Sequence, residues 1–435
     1  MSSDKFLKQV MSYIRSKEAR AYVHEELKQH MEHSKWAWQK KGYSAEDAEQ
    51  KAIEEMGSPS QIGKSMDKIH RPKWDFWLIG CIVCLVAVSF IPILTFDSAI
   101  QFGANMTSNF IINKIVHILV AVIVIAILIY VDYRKFQRFS IYFYGFALIL
   151  LMMMKFSPNA LANGEAMLHI GPIHIKVWTV LPILLVAFAG FFAERKYTSW
   201  QLIILFIIPL FLIVNIPNLV VALMYVLVIA VLFSFSYFSR KVKRNLFLAT
   251  GIMLFAIIGY LVFNANKLFA SYQTARILAF LNPEQYATTG GYMYIQLKKA
   301  LKQSGWFGAE TISYVPEGHT DFAFVQLIQA YGYAAGIGVG VLLLFVALRL
   351  LWILRKIPNS FGKLLVVAAM TLYSFQSIYS VFMIVGLLPL AGVPLPFISY
   401  GITPLLLNAV LIGLVLSVYR RKSYIGKIKT IKASI

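Results

Sequence analysis

The sequence predicts an all-α, polytopic membrane protein of about ten transmembrane helices, preceded by a small cytoplasmic helical domain. Three observations carry that prediction. The 435 residues are 59% hydrophobic and only 14% charged, more apolar surface than a soluble chain of this length can hide. Ten apolar runs follow one another from Trp74 onward. The formal net charge of +21 concentrates in alternate turns between those runs, as it does in the cytoplasmic loops of membrane proteins.

Residues 1–73 stand apart. They hold eleven of the twenty acidic residues and fourteen of the forty-one basic ones. The stretch "SKEARAYVHEELKQHMEHSKWAWQKKG" repeats apolar residues at three- and four-residue steps and predicts a helix. "GYSAEDAEQKAIEEMG" offers Ser44 as an N-cap, Asp47 three places on, and Gly57 as the terminator. "SPSQIGKSMDKI" starts again with Ser58 and Pro59. A domain of this size is near the lower limit for independent stability, so docking on another surface is expected. Its pattern resembles the helical prefix domain ahead of some Gram-positive permeases and membrane regulators.

The apolar runs span about 74–95, 111–131, 139–155, 177–193, 200–215, 218–238, 245–265, 322–351, 364–388 and 402–419. A helix needs about 20 residues to cross the hydrocarbon. The third to fifth runs are short by that measure, and Pro182 and Pro209 are expected to interrupt two of them. Turns after the even-numbered runs carry Arg134, Lys135 and Arg138; Arg195 and Lys196; Arg240, Lys241, Lys243 and Arg244; Arg355, Lys356 and Lys363; then Arg420, Arg421, Lys422 and Lys427. Turns after the first, fifth and ninth carry none. Both termini are therefore expected in the cytoplasm, and the basic excess needs no nucleic-acid partner. The long connection 266–321 is external, and loops of such length are usually functional. No secretory leader is expected, because the first apolar stretch begins near Trp74. Cys81 and Cys84 lie inside that stretch and read as core residues, since no further metal ligands stand near them.

None of the nine acids beyond residue 73 falls in the middle of an apolar run. That argues against a proton- or ion-coupled transporter. Lys114, His117 and Lys155 lie near run ends and are expected at the interface. Glu310, Glu317 and Asp321 close the long loop, and Asp321 stands at the lip of the eighth run in "PEGHTDFAF". Within the loop, "YMYIQLKKALKQ" is amphipathic, with Lys298, Lys299 and Lys302 suited to headgroups or to a lipid diphosphate.

The segment from about 270 to 420 resembles the SEDS family, the RodA/FtsW/SpoVE group of peptidoglycan glycosyltransferases. Four pieces occur in the family's order: "YQTARILAFLNP", "GGYMYIQ", "PEGHTDFAF" and "GLLPLAGVPLPFISYG". The resemblance implies a bacterial cytoplasmic-membrane enzyme that polymerises lipid II outside the membrane. The 4-hydroxyl of one lipid-linked disaccharide attacks the anomeric carbon of the growing chain, and undecaprenyl pyrophosphate leaves. It implies that Asp321 is the essential carboxylate. Desolvation beside Phe322 and Phe324 would make it a better base, whereas a nearby helix N-terminus would oppose that shift. A bland alternative is that Asp321 merely N-caps the eighth helix.

Softer expectations follow for the neighbours. Glu317, His319 and Thr320 hold substrate or orient Asp321. Arg276, Tyr292, Gln296, Lys298, Lys299 and Lys302 are further substrate-binding candidates, the basic ones offsetting diphosphate charge. Ser399 and Tyr400 shape the turn into the last helix and line the cavity. A class B penicillin-binding protein is the implied partner. Mg²⁺ or another divalent cation is a possible aid without a legible ligand set. The pattern departs from the family where Gln329 and Ala330 replace a Glu-Glu pair. It departs again in "AMLHIGPIHIKVWTV", where Met167, Val177, Trp178 and Thr179 replace motif residues, and at Asn218, which replaces an acid. A non-catalytic scaffold of wall synthesis and a lipid-linked-precursor transporter therefore remain as alternatives.

Overall fold

The computed structural model describes residues 2–100, 104–156, 160–162, 165–170, 173–194, 196–216, 219–245, 247–248, 251 and 278–424. The seventh apolar run and Arg276 lie largely or wholly outside the described residues. The chain divides into two compact units.

One unit comprises Met1–Asp75 with Lys356–Asn359 and Val418–Ile435. It contains helices α1 (Ser3–Ser12), α2 (Lys17–Lys40), α3 (Ala45–Met56) and α4 (Pro59–Ile69). Phe6, Leu7, Val10 and Ile14 from the first helix and its exit pack with Ala19, Val23, Leu27 and Met31 of α2, closing a core with Ala52. The helix ends follow local chemistry. The Ser16 hydroxyl accepts from the Ala19 N–H, and that of Ser44 from the Asp47 N–H. Gly57 stops α3 at φ 78°, a left-handed conformation costly for a side-chain-bearing residue. Pro59 sits in the first turn of α4. At Glu49 the Ser3 backbone N–H, the Ser3 hydroxyl and Lys35 together hold the carboxyl down to about 2. The start of α1 is thereby tied to α3. Within this unit the helical domain is bonded to residues 420–421 of the chain. Arg421 is fully buried and donates from Nε and Nη2 to the two Glu18 oxygens at 3.0 and 2.9 Å. The Lys73 N–H donates to the Arg420 carbonyl.

The other unit, Phe76–Arg355 and Ser360–Ser417, is the multi-pass membrane part. Five helical stretches are long and apolar enough to cross a membrane: Phe76–Thr95, Ser108–Tyr130, Ala323–Leu354, Ser360–Ile384 and Ile402–Arg420. Shorter apolar helices cover Ser140–Phe156, Val177–Ala193, Ser199–Asn215 and Val220–Ser234. Apolar runs thus become helices throughout the described residues. In chain order they are α5 (Phe76–Val88), α6 (Ile91–Ile100), α7 (Ala104–Tyr130), a short α8 (Arg134–Arg138), α9 (Ser140–Phe156), α10 (Leu181–Ala193), α11 (Ser199–Asn215) and α12 (Leu219–Ser234). Then follow α13 (Tyr292–Gln303), α14 (Ala323–Leu354), α15 (Ser360–Ile384) and α16 (Ile402–Arg420). Helix α10 is buried along nearly its whole length, and α15 and α16 over most of theirs, so these three form much of the interior.

Three features differ from the sequence expectation. Pro182 occupies the first turn of α10, after a 3₁₀ turn at Val177–Val180, and so starts a helix instead of interrupting one. Between α9 and α10 lies a small antiparallel sheet, β1 (Ala160–Ala162), β2 (Glu165–Ile170) and β3 (Ile173–Ile175), in that order. Ala160 pairs with Met167, and His169 with His174. Lys114, expected near the interface, is enclosed by protein: it is fully buried inside α7 and donates to two backbone carbonyls of the 395–399 turn. Lys155, at the end of α9, donates to the Asn215 carbonyl at 3.0 Å.

Candidate active site

The site is built where two loop segments meet above the membrane helices. The first is the turn Pro316–Phe322 that leads into α14. Thr320 and Phe322 both donate their N–H groups to the Glu317 carbonyl, at 3.0 and 3.1 Å. The Thr320 hydroxyl reaches the Glu317 carboxylate. Glu317 itself adopts φ 55°, a left-handed conformation uncommon outside glycine and sparsely populated without local support. Gly318 lies close against Gln326, where an added Cβ would stand 3.2 Å from the amide carbon. The turn is therefore tight, hydrogen-bonded to itself and backed by the first helical turns of α14.

Asp321 projects from this turn. The N-cap position of α14 is held by Phe322, without a side-chain cap bond. The capping alternative for Asp321 is thus not realised. Among the described residues its carboxylate makes no hydrogen bond or ion pair, although protein surrounds it on most sides and only part of it meets solvent. Burial lifts its pKa above the ordinary carboxylate value; Lys176 pulls it down and Glu317 adds to the rise. Burial likewise pushes the His319 imidazole below its ordinary value, against the pull of Glu317.

The second segment is the loop between α15 and α16. Gly392, at φ 54°, lies so close to Asp321 that a Cβ there would stand 3.0 Å from Oδ2. Tyr400 donates its N–H to the His319 carbonyl at 2.9 Å. Its ring lies 5.5 Å from that of His319 and 5.4 Å from Phe110, which is itself 5.2 Å from His319. The two long sequence signatures, far apart in the chain, therefore converge on one carboxylate. Ser399 is buried, and its hydroxyl accepts from the Leu395 N–H at 2.9 Å, shaping the loop from within.

The loop lysines belong to a neighbouring feature. A cavity of about 1190 Å³ is lined by residues 280–285, by α13 and by Met383–Gly386. Lys298, Lys299 and Lys302 line it, as do Tyr294 and Glu284. Asp321, Tyr292 and Gln296 are not among its lining residues. Tyr294 joins cavity and carboxylate: its hydroxyl accepts from the Leu390 N–H at 2.9 Å, two residues before Gly392. Gly291 permits the sharp start of α13, since a Cβ there would meet the Pro283 carbonyl oxygen at 2.1 Å.

Sequence reasoning missed several members of the site. Lys176, from β3's exit, is a cation that pulls the Asp321 pKa down; it stands in the stretch that departs most from the family pattern. Phe110 gave no signal, being one aromatic residue just before the second apolar run. Gln326, and Gln329, which the sequence marked only as a departure from the family's acid pair, are fully buried, and both their amide atoms lack partners among the described residues. Such groups are costly unless water or ligand satisfies them. Among the described residues no three His, Cys, Asp or Glu side chains gather as a metal site would require.

A family model described as "Cell cycle protein", that of FtsW, RodA and SpoVE, matches residues 74–424. The chain is 27% identical over 357 residues to "Probable peptidoglycan glycosyltransferase FtsW" of Bacillus subtilis (strain 168), covering 77% of this chain and 87% of that one. It is 25% identical over 329 residues to "Peptidoglycan glycosyltransferase MrdB" of Escherichia coli (strain K12), covering 72% and 87%. Among solved structures, one from a study titled "Structural coordination of polymerization and crosslinking by a peptidoglycan synthase complex" superposes with a TM-score of 0.66 at 21% identity, covering 80% of this chain and 98% of that one. The rod shape determining protein RodA of Thermus thermophilus superposes with a TM-score of 0.57 at 19% identity, covering 80% and 97%. At such identities these likenesses establish the shared fold.

Proposed function

The chain belongs to the FtsW/RodA/SpoVE family of cell cycle proteins, and from that premise we propose that it is a peptidoglycan glycosyltransferase that polymerises lipid II at the outer face of the bacterial cytoplasmic membrane. One observation carries the mechanism: a surrounded carboxylate, free of hydrogen bonds among the described residues, at the meeting point of both signature segments. Asp321 acts as general base. It takes the proton of the acceptor saccharide's 4-hydroxyl as that oxygen bonds to the anomeric carbon of the donor. The bond from that carbon to the diphosphate breaks, and polyprenyl diphosphate departs with the electron pair. A carboxylate freed from hydrogen bonds and lifted by burial is a stronger base than one in water.

The remaining candidates fall into two groups. Glu317, His319, Thr320 and Tyr400 surround the base and orient it or the saccharide. Lys298, Lys299 and Lys302, on the cavity wall joined to Asp321 through Tyr294 and Leu390, are suited to the diphosphate or its anionic neighbours. Arg276, outside the described residues, keeps the same proposed role. A resident metal held by protein side chains alone does not fit the described donors, so no step is routed through one.

The partner is proposed to be a class B penicillin-binding protein. A structural relative comes from a complex that couples polymerization to crosslinking. Both termini are assigned to the cytoplasm on the lysine and arginine asymmetry of the loops. The test is incubation of purified full-length protein with lipid II, with and without a candidate transpeptidase. Glycan strands are the expected product. Their complete absence under both conditions would turn the reading toward a scaffold.

A further inference from the structure

Lys114 is a fully buried cation on a membrane-spanning helix, and the mechanism above does not use it. Burying a charge in such a place is expensive and calls for a specific compensation. Among the described residues its partners are two backbone oxygens, the carbonyls of Ile398 at 3.4 Å and Ser399 at 3.2 Å.

The acceptor side explains why those carbonyls need a donor. The turn Leu395–Ser399 closes on itself: the N–H groups of Ile398 and Ser399 both donate to the Leu395 carbonyl, and the Leu395 N–H donates to the Ser399 hydroxyl. That leaves the Ile398 and Ser399 carbonyls pointing out of the turn, and buried backbone acceptors require partners. Phe397, between them and Leu395, is held at φ 63°. A bulky residue in that conformation persists only where its surroundings over-determine it. An ammonium with three donors can grip two carbonyls at once.

The next residue is Tyr400, whose N–H bonds the His319 carbonyl and whose ring packs on His319. Lys114 also shares one face of α7 with Phe110, four residues before it, and His117, three after it. Both rings meet Tyr400, at 5.4 and 5.6 Å. From these contacts we propose that Lys114 is a positioning residue: it fixes the Ile398–Tyr400 backbone, and through it the His319–Asp321 turn, in the arrangement the reaction needs. Its effect on turnover rests on the glycosyltransferase reading; its effect on the loop does not.

Two measurements on the purified full-length protein test this. Hydrogen exchange of a peptide spanning residues 395–404 reads the loop directly. Lys114→Met should lose protection there, and Lys114→Arg should restore most of it. In lipid II polymerisation, Lys114→Met should lower kcat at least tenfold while KM stays within about twofold, with rescue by Lys114→Arg. Should the methionine variant fail to fold, Lys114→Gln, which keeps a neutral donor, takes the same two measurements and should fall between the others. Unchanged exchange in the variants overturns the proposal whatever the activity. A raised KM with unchanged kcat also overturns it, because Lys114 would then be meeting the substrate's anion. Lost protection in a protein whose wild type makes no glycan leaves the positioning role standing and sinks the enzymatic reading instead.

Discussion

A carboxylate works as a base only when ionised, so under the proposed mechanism the direction of the Asp321 pKa shift sets the acidic limb of the rate profile. Burial and Glu317 raise that limb, and Lys176 lowers it. Lys176→Gln should therefore move the limb of kcat/KM to higher pH, and Glu317→Gln should move it to lower pH. A limb indifferent to both substitutions would mean that another group takes the proton. The same shift bears on stability. A carboxyl whose pKa is raised by folding contributes stability below its unfolded pKa and loses it as pH rises through the folded value. Above that folded value the ionised side chain therefore opposes folding, and there Asp321→Asn should melt no lower than the wild type. A clear drop in Tm on that substitution would assign the carboxylate a structural contact instead.

Helix α14 shows how an element can be misread at one position while its extent is read correctly. The apolar run 322–351 predicts one span, and a helix does cover it, but the helix breaks at Gly332, with φ 80° and ψ −179°. The loop Gly305–Ala309 repairs the break. Tyr333 donates its N–H to the Gly305 carbonyl and Ala334 to that of Trp306, while the Ala309 N–H donates to the Gln329 carbonyl. Hydropathy could not reveal this, because Tyr331 and Tyr333 keep the run apolar and the compensating bonds come from twenty or more residues away. A Cβ on Gly332 would stand 2.2 Å from the Trp306 carbonyl oxygen. Gly332→Ala should therefore cost about 2 kcal/mol or more, seen as a lower Tm in detergent and faster proteolysis within 305–309. Unchanged values would show that the loop and helix are not coupled. The inward turn of Lys114 was illegible for a related reason: its partners are backbone carbonyls, which leave no trace in side-chain identity. By contrast, the amphipathic helix at 292–303 and the caps at Ser44 and Gly57 were legible, since each depends on residues within one or two turns.

For the molecule as a whole, composition and loop charge disclosed a multi-pass membrane protein, and two long signatures disclosed the family. What they left unsaid was the convergence of those signatures, Gly392 on Asp321 and Tyr400 on His319, because long-range packing has no periodicity. The sequence also left open what residues 1–73 rest upon; within their unit they grip the end of the chain through Glu18 and Arg421. Removing the carboxylate takes a two-bond ionic partner from a buried guanidinium. Glu18 is 41% exposed, so Glu18→Ala should cost about 1–3 kcal/mol, less than a fully buried pair. Faster hydrogen exchange at the start of α2 would register the loss, and unaltered exchange would show the pair to be incidental. The most direct measurement addresses the base: lipid II polymerisation by purified Asp321→Asn beside the wild type, at matched folding and concentration. The rate should fall by about 100-fold or more, and glycan strands made at the wild-type rate would contradict the account.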